Sequence, residues 1–160
     1  MSAIRIKDLN TAFFAFLLLM FFSCSKKASA NKPIIKSNEE ITFIGLSHIG
    51  GDSGSYRIIK ITKDSIRLEK GFTVEKKHLE WNSAISKKTW QRLVSSFKIK
   101  DLDQIKSSLS IQPDGIDESF QIKTTKNSHI YVNAYNDTTN YRQLQNFKNK
   151  LEKIIPKEYK

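Results

Sequence analysis

Ser65-Ile66-Arg67-Leu68-Glu69 is the stretch that decides the fold. Ile66 and Leu68 alternate with polar neighbours, so an extended chain puts both aliphatic side chains on one face and the polar ones on the other. That is the pattern of a half-buried strand, with a core on one side and water on the other. Just upstream, Lys63-Asp64 supplies a turn, and the isoleucine-rich residues 56–62 read as the preceding strand. Residues 40–47, with Ile41, Phe43, Ile44 and Leu46, read as the first strand, broken by Ile49-Gly50-Gly51-Asp52-Ser53-Gly54. Residues 72–81 read as a fourth.

Further along, the apolar period changes from two to that of a helix. Ser86 can cap free amides while Ile85 staples onto Trp90, and Trp90, Leu93, Val94 and Phe97 make one stripe. Asp101 and Gln104 are spaced like a capping box for a short turn. Pro113-Asp114-Gly115 is a strong turn signal. Residues 117–125 and 128–135 form a predicted hairpin, with Phe120 and Ile122 on one face of the first strand and Ile130 and Val132 on one face of the second. Lys126-Asn127 joins them, Asn127 being tolerant of positive φ. A last helix is predicted from near Thr138 and Thr139 through Tyr141, Leu144, Phe147, Leu151, Ile154 and Ile155, ending at Pro156. The order implies an α+β domain over residues 40–160: an antiparallel sheet of about six strands with two helices packed on one face.

The amino-terminal part follows different rules. Arg5 and Lys7 precede an apolar run from Ala12 to Phe22, which is the make-up of a secretory signal. As a helix the run would rise roughly 17 Å at about 1.5 Å per residue, against about 30 Å of hydrocarbon. It is too short for a permanent span, and phenylalanine and leucine on every side make it a poor amphipathic core helix. The single cysteine stands where the run stops. Phe21-Phe22-Ser23-Cys24 resembles the lipobox of bacterial lipoproteins. The resemblance implies diacylglyceryl transfer to the Cys24 sulfur, cleavage between Ser23 and Cys24, and a protein held on a membrane by its acyl chains. A cut for free secretion and an uncleaved anchor are the competing readings. Residues 1–23 are then a lipoprotein signal peptide and 24–39 a flexible tether, polar and without periodicity. Ser25 after the cysteine, with basic Lys26 and Lys27, points by resemblance to the outer membrane and a periplasm-facing domain.

The 160-residue chain carries a formal charge of +11. Removing residues 1–23 takes away Arg5, Lys7 and Asp8 and leaves the balance strongly basic. The lysines are scattered rather than clustered with stacking aromatics, so nucleic acid is not an expected partner. With Cys24 acylated no thiol remains for a disulfide, and packing alone must hold the domain together.

Chemistry-bearing patterns are sparse. Gly50, Gly51, Asp52 and Ser53 lack the Lys-Ser/Thr pair of a phosphate loop and read as a hairpin loop, with a sheet-edge partner as the candidate ligand. Ser53 has no Gly-x-Ser-x-Gly elbow and no recruited base, so no catalytic residue is assigned and the protein is read as a non-enzyme. His48, His78 and His129 lack metal spacing. Asp114, Asp117 and Glu118 miss the ligand order of a calcium loop. No metal or cofactor is expected. Tyr131 and Tyr135, with His129, fall on one predicted outward face and are candidate partner contacts. Ser65 and Thr138 sit in Asp-Ser/Thr-aliphatic-or-Thr triplets that resemble an O-glycosylation motif of Gram-negative exported proteins.

A strand, a Gly-Gly loop, a second strand, a helix, Pro113-Asp114-Gly115, a hairpin and a final helix together resemble the layout of emfourin-type inhibitors of thermolysin-family proteases, over about residues 41–155. That resemblance implies a module that binds or inhibits a protein. The expected function is a lipid-anchored envelope lipoprotein with a non-catalytic binding module. An envelope hydrolase and a purely structural envelope protein are the alternatives.

Overall fold

The computed structural model describes residues 38–108 and 115–160. The expected signal peptide, Cys24, the tether up to residue 37, and Pro113 and Asp114 of the turn lie outside the described residues. Strands β1 (Ile41–Gly50), β2 (Ser55–Thr62), β3 (Ser65–Phe72), β4 (Lys77–Ala84), β5 (Ile116–Thr124) and β6 (Ser128–Val132) form one antiparallel sheet in the order β4-β3-β2-β1-β5-β6. Helices α1 (Lys87–Val94) and α2 (Arg142–Leu151) complete the α+β domain.

Directly paired residues of antiparallel strands share a face, so the register sorts the sheet into rows. One row runs Ile122, Ile44, Ile61, Ile66 and the next Phe120, Leu46, Ile59, Leu68. All eight are at most 2% exposed. The helices cover these two rows: Trp90 and Leu93 of α1 and Leu144, Phe147 and Leu151 of α2 belong to the same apolar core. Phe147 meets Phe120 edge-on at 6.1 Å and Phe97 at 5.2 Å between ring centroids. The opposite face is open, with Ile130 there 64% exposed.

Several local expectations hold. Ser86 caps α1 by accepting from the Thr89 amide at 3.1 Å, and Ile85 packs on the core beside it. Gly50 closes β1 with φ of +142°, and a Cβ there would stand 2.1 Å from the Gly115 carbonyl oxygen. The glycine stretch is a hairpin loop over residues 51–54.

Others are corrected. The fourth strand runs Lys77–Ala84 rather than over 72–81, because Phe72 still belongs to β3 and residues 73–76 turn the chain with Lys76 at φ of +51°. The Lys126-Asn127 turn needs no positive φ at Asn127. Thr124 Oγ1 accepts from the Lys126 and Asn127 amides instead, at 3.2 and 2.8 Å. Asn133 is the asparagine that adopts φ of +48°. Asp101 caps nothing, since the 3₁₀ turn Ile99–Gln104 has already begun before it. α2 starts at Arg142, later than Thr138 and Thr139. Asp137 first takes up the Thr139 and Asn140 amides at 3.1 and 2.9 Å. α2 also ends at Leu151, and Pro156 opens a 3₁₀ turn, Lys157–Tyr159. Glu39, assigned to the tether, is docked: its Oε1 accepts from Thr124 Oγ1 at 2.5 Å and Asn127 Nδ2 at 3.1 Å.

The face of β6 is inverted relative to expectation. Tyr131 pairs with Phe120 and His129 with Ile122, so both rings turn toward the helices and Ile130 and Val132 turn away. Tyr131 is 4% exposed, and its hydroxyl donates to the Leu102 carbonyl at 2.8 Å. Tyr135 lies beyond β6 in a short 3₁₀ turn and is exposed. Tyr131 and Tyr135 therefore form no common outward patch.

Candidate functional site

Beyond the Phe120–Leu46 row the sheet continues on the helix side with Glu118, His48, Arg57, Lys70 and Leu79. Here the row turns from aliphatic to charged. Glu118 is 5% exposed and shares its face with Phe120 and Ile122 because it precedes them by two and four residues.

Three donors converge on this carboxylate. His48 Nε2 lies 3.1 Å from Oε2, Lys148 Nζ donates to Oε2 at 2.6 Å, and the Tyr141 hydroxyl donates to Oε1 at 2.7 Å. Lys148 also donates to the Tyr141 oxygen. On the backbone, the Glu118 amide donates to Asn133 Oδ1 at 2.9 Å and the Asn133 amide returns a bond to the Glu118 carbonyl at 2.8 Å. The positive φ of Asn133 turns the chain so that both bonds form.

Burial alone would push the Glu118 carboxyl up. The hydrogen bonds from His48, Lys148 and Tyr141 outweigh it and hold the group at about 2. Burial and the bonded carboxylate push the Tyr141 phenol well above its ordinary value. A general base has to be free to accept a proton near the working pH, and Glu118 is neither free nor basic. What the cluster does is join β1, β5 and α2, elements 23 to 70 residues apart in the chain.

The row after it contains Ile116, Gly50, Ser55, Phe72 and Lys77. These last two rows floor a cleft of about 650 Å³, within the few hundred to about 1,000 Å³ usual for small-molecule sites. Phe72, Leu79 and Ile116 give it apolar walls and are 41%, 53% and 55% exposed. Arg57 and Lys70 lie between them. Arg57 Nη2 stands 2.8 Å from Glu152 Oε1 of the turn after α2, while its buried Nε has no hydrogen-bond partner among the described residues. Lys70 Nζ donates to the Glu158 carbonyl and to a carboxylate oxygen of the terminal residue Lys160, each at 3.0 Å. No acidic side chain lines this cleft among the described residues. A second recess, of about 780 Å³ at the other end of the sheet, mixes Glu39, Glu40 and Asp64 with Lys63 and Lys87, so its charges oppose one another.

The residues singled out from sequence are scattered. Gly50 and Gly51 hold the β1–β2 loop against Gly115, the Gly51 amide donating to its carbonyl at 3.0 Å. Ser53 binds back through its carbonyl to the Val74 amide, and its hydroxyl meets no histidine or carboxylate among the described residues. Asp52 lies in the same loop. His48 joins Glu118, His78 stacks on Tyr56 and bonds Glu80, and His129 Nδ1 lies 3.1 Å from Asp103 Oδ1. The three sit in different places, and no group of three or more metal-ligating side chains occurs among the described residues. Asp117 and Glu118 are adjacent in β5 and point to opposite faces, so they cannot share a calcium ion. Ser65 and Thr138 are exposed, with the Ser65 hydroxyl 2.9 Å from Thr62 Oγ1. Ser23 and Cys24 lie outside the described residues.

Glu118, Arg57 and Lys70 were not singled out as a group. Glu118 did carry a signal, its phase with Phe120 and Ile122. Arg57 and Lys70 carried none, since only the β2–β3 register sets them side by side. No helix among the described residues is long and apolar enough to cross a membrane. No family model and no curated protein matches this chain.

Proposed function

We propose that the chain is a bacterial lipoprotein whose α+β domain is a non-catalytic binding module held at the cell envelope. In this reading residues 1–23 direct export, Cys24 carries the acyl chains, residues from 24 up to the docked Glu39 form the tether, and the domain faces the periplasm from the outer membrane. One observation carries it. A basic start, an apolar run too short to span, and the sole cysteine stand in that order with Ser23 just before the cysteine. Two acyl chains suffice for stable anchoring, each buried methylene contributing about 0.8 kcal/mol.

Binding is favoured over hydrolysis because the one buried carboxylate cluster among the described residues is saturated with donors and Ser53 stands apart from it. A protein or envelope component is the partner class, in keeping with a layout that resembles that of emfourin-type inhibitors. Mass spectrometry of the membrane-extracted protein should find residue 24 at the amino terminus with added acyl mass. The Cys24→Ala variant should leave the washed membrane fraction. An intact Met1 terminus, or full membrane retention of Cys24→Ala, overturns the proposal.

A further inference from the structure

We infer that β4 is a self-association edge, on which a second copy of this chain pairs its own β4 antiparallel across a two-fold axis at Trp81. The sheet ends in two edge strands, β4 and β6, and they are finished differently. β6 has only 5 residues, and its outer side is met by the chain: the Val132 carbonyl accepts from the Ser108 amide at 2.9 Å, and the Val132 amide donates to Ser107 Oγ at 3.0 Å. β4 has 8 residues and neither proline nor bulge. Just past its end the Ile85 amide donates to the Asp64 carbonyl. Bonded pairs alternate along an antiparallel ladder, so Lys77, Leu79, Trp81 and Ser83 bond inward to β3. The amides and carbonyls of His78, Glu80, Asn82 and Ala84 point outward, and no main-chain group of the described residues meets them. Such a row is a template for another strand.

The side chains make a second β4 a fitting strand, in one register. Opposed residues of antiparallel strands share a face, so the two-fold axis must pass through a residue of β4. An axis at Glu80 sets two carboxylates face to face, which is unfavourable. At Leu79 or earlier, the outward residue Asn82 falls opposite Lys76, which has left the strand with φ of +51°. At Asn82 or later, His78 falls opposite Ser86, the cap of α1, or beyond it. An axis at Trp81 sets Glu80 opposite the second copy's Asn82 and His78 opposite its Ala84. Every outward amide and carbonyl is then bonded and no like charges meet. Glu80 does not bar the approach, because His78 Nε2 at 2.9 Å and Arg67 Nη2 at 3.3 Å already hold its carboxylate. On the helix side, Trp81, with its ring 6.1 Å from that of Tyr159, meets its counterpart on the axis. Leu79, 53% exposed, comes to lie opposite Ser83, and the apolar surface covered favours pairing. Self-association through β4 does not require the lipid anchor, so the two stand or fall separately.

The test uses the full chain in detergent micelles, with Cys24→Ser so that only introduced thiols react. Leu79→Cys combined with Ser83→Cys should give a disulfide-linked dimer on mild oxidation. The axis at Trp81 sets these two positions opposite each other at a Cα separation of about 4.5 Å, within disulfide reach. Within one chain they lie about 14 Å apart along the strand, too far to bridge. Leu79→Cys alone should stay monomeric, because the two copies of residue 79 are separated by the same distance. Asn82→Pro removes one outward amide from each copy and leaves the bonds to β3 in place. It should weaken association roughly tenfold. Sedimentation of the chain without introduced cysteines should show a concentration-dependent dimer that Asn82→Pro shifts to monomer, which keeps the test valid should the cysteines disturb the strand. A monomer at every concentration overturns the inference, as does cross-linking as strong from Leu79→Cys alone or a dimer that Asn82→Pro does not weaken.

Discussion

Along the helix side of the sheet, the rows through Ile44 and Leu46 are sealed by α1 and α2, while the rows through His48 and Gly50 emerge beyond them. Across β5, β1, β2 and β3 the sealed rows contain only aliphatic and aromatic side chains. The emergent rows mix a buried carboxylate, a guanidinium and an ammonium with half-exposed Phe72, Leu79 and Ile116. In the first region every side chain is used up in packing. In the second, polar groups had to find partners one at a time, and Glu118 found three where Arg57 Nε found none. The region that contributes most to stability is thus chemically silent, and the region with unspent donors contributes least to the core.

Substitutions can break this contrast, beginning where the loss should be greatest. Phe120→Ala removes a ring 1% exposed that packs edge-on against Phe147. It should cost about 3–5 kcal/mol in urea denaturation. A loss under about 1 kcal/mol would mean the sealed rows are not the core.

Glu118→Ala strips the shared acceptor from His48, Lys148 and Tyr141 at the border between the regions. A loss of about 2–4 kcal/mol is expected. The pH dependence sharpens the same point. The carboxyl is held at about 2 against an ordinary 4.5, so its folded-state value is depressed. Its stabilisation is then complete above about pH 4.5 and is lost as pH falls from there toward 2, by an amount on the order of 3 kcal/mol. Glu118→Gln should flatten that part of the stability profile. An unchanged acid limb would show that the three donors do not hold the carboxylate in solution.

The smallest effect belongs to the cleft. Leu79→Ser changes a side chain 53% exposed and should move stability by no more than about 0.5 kcal/mol. A much larger loss would place Leu79 in the core and erase the distinction between the two regions.

Much of the fold was legible before any coordinates. The alternation at Ile66 and Leu68, the Ser86 cap with Ile85 behind it, and the Phe120–Ile122 face are short-range patterns, and all stand. Errors came where a neighbour distant in sequence decided the matter. Ile130 and Val132 look more buried than His129 and Tyr131, but Tyr131 can hide its ring against Phe120 and still satisfy its hydroxyl on Leu102. Residues 72–81 contain Phe72, Val74 and Leu79, enough apolar character to suggest one strand, yet Phe72 stays paired with Ser55 at the end of β3. The candidate site was less legible still. Asp52, Ser53 and Tyr135 were conspicuous by residue type, whereas Arg57 and Lys70 look like ordinary strand cations until the register sets them together.

By itself the sequence determined the class of fold and the identity of each helix and most strands. Hydrophobic period and capping act between residues only a few positions apart, and that information is complete along the chain. Only the tertiary structure decided which way β6 faces, that Glu118 draws on β1 and α2 at once, and that a cationic cleft with apolar walls opens past the helices. Those outcomes depend on register and on how far two short helices reach over a longer sheet, and neither quantity is written in any local stretch.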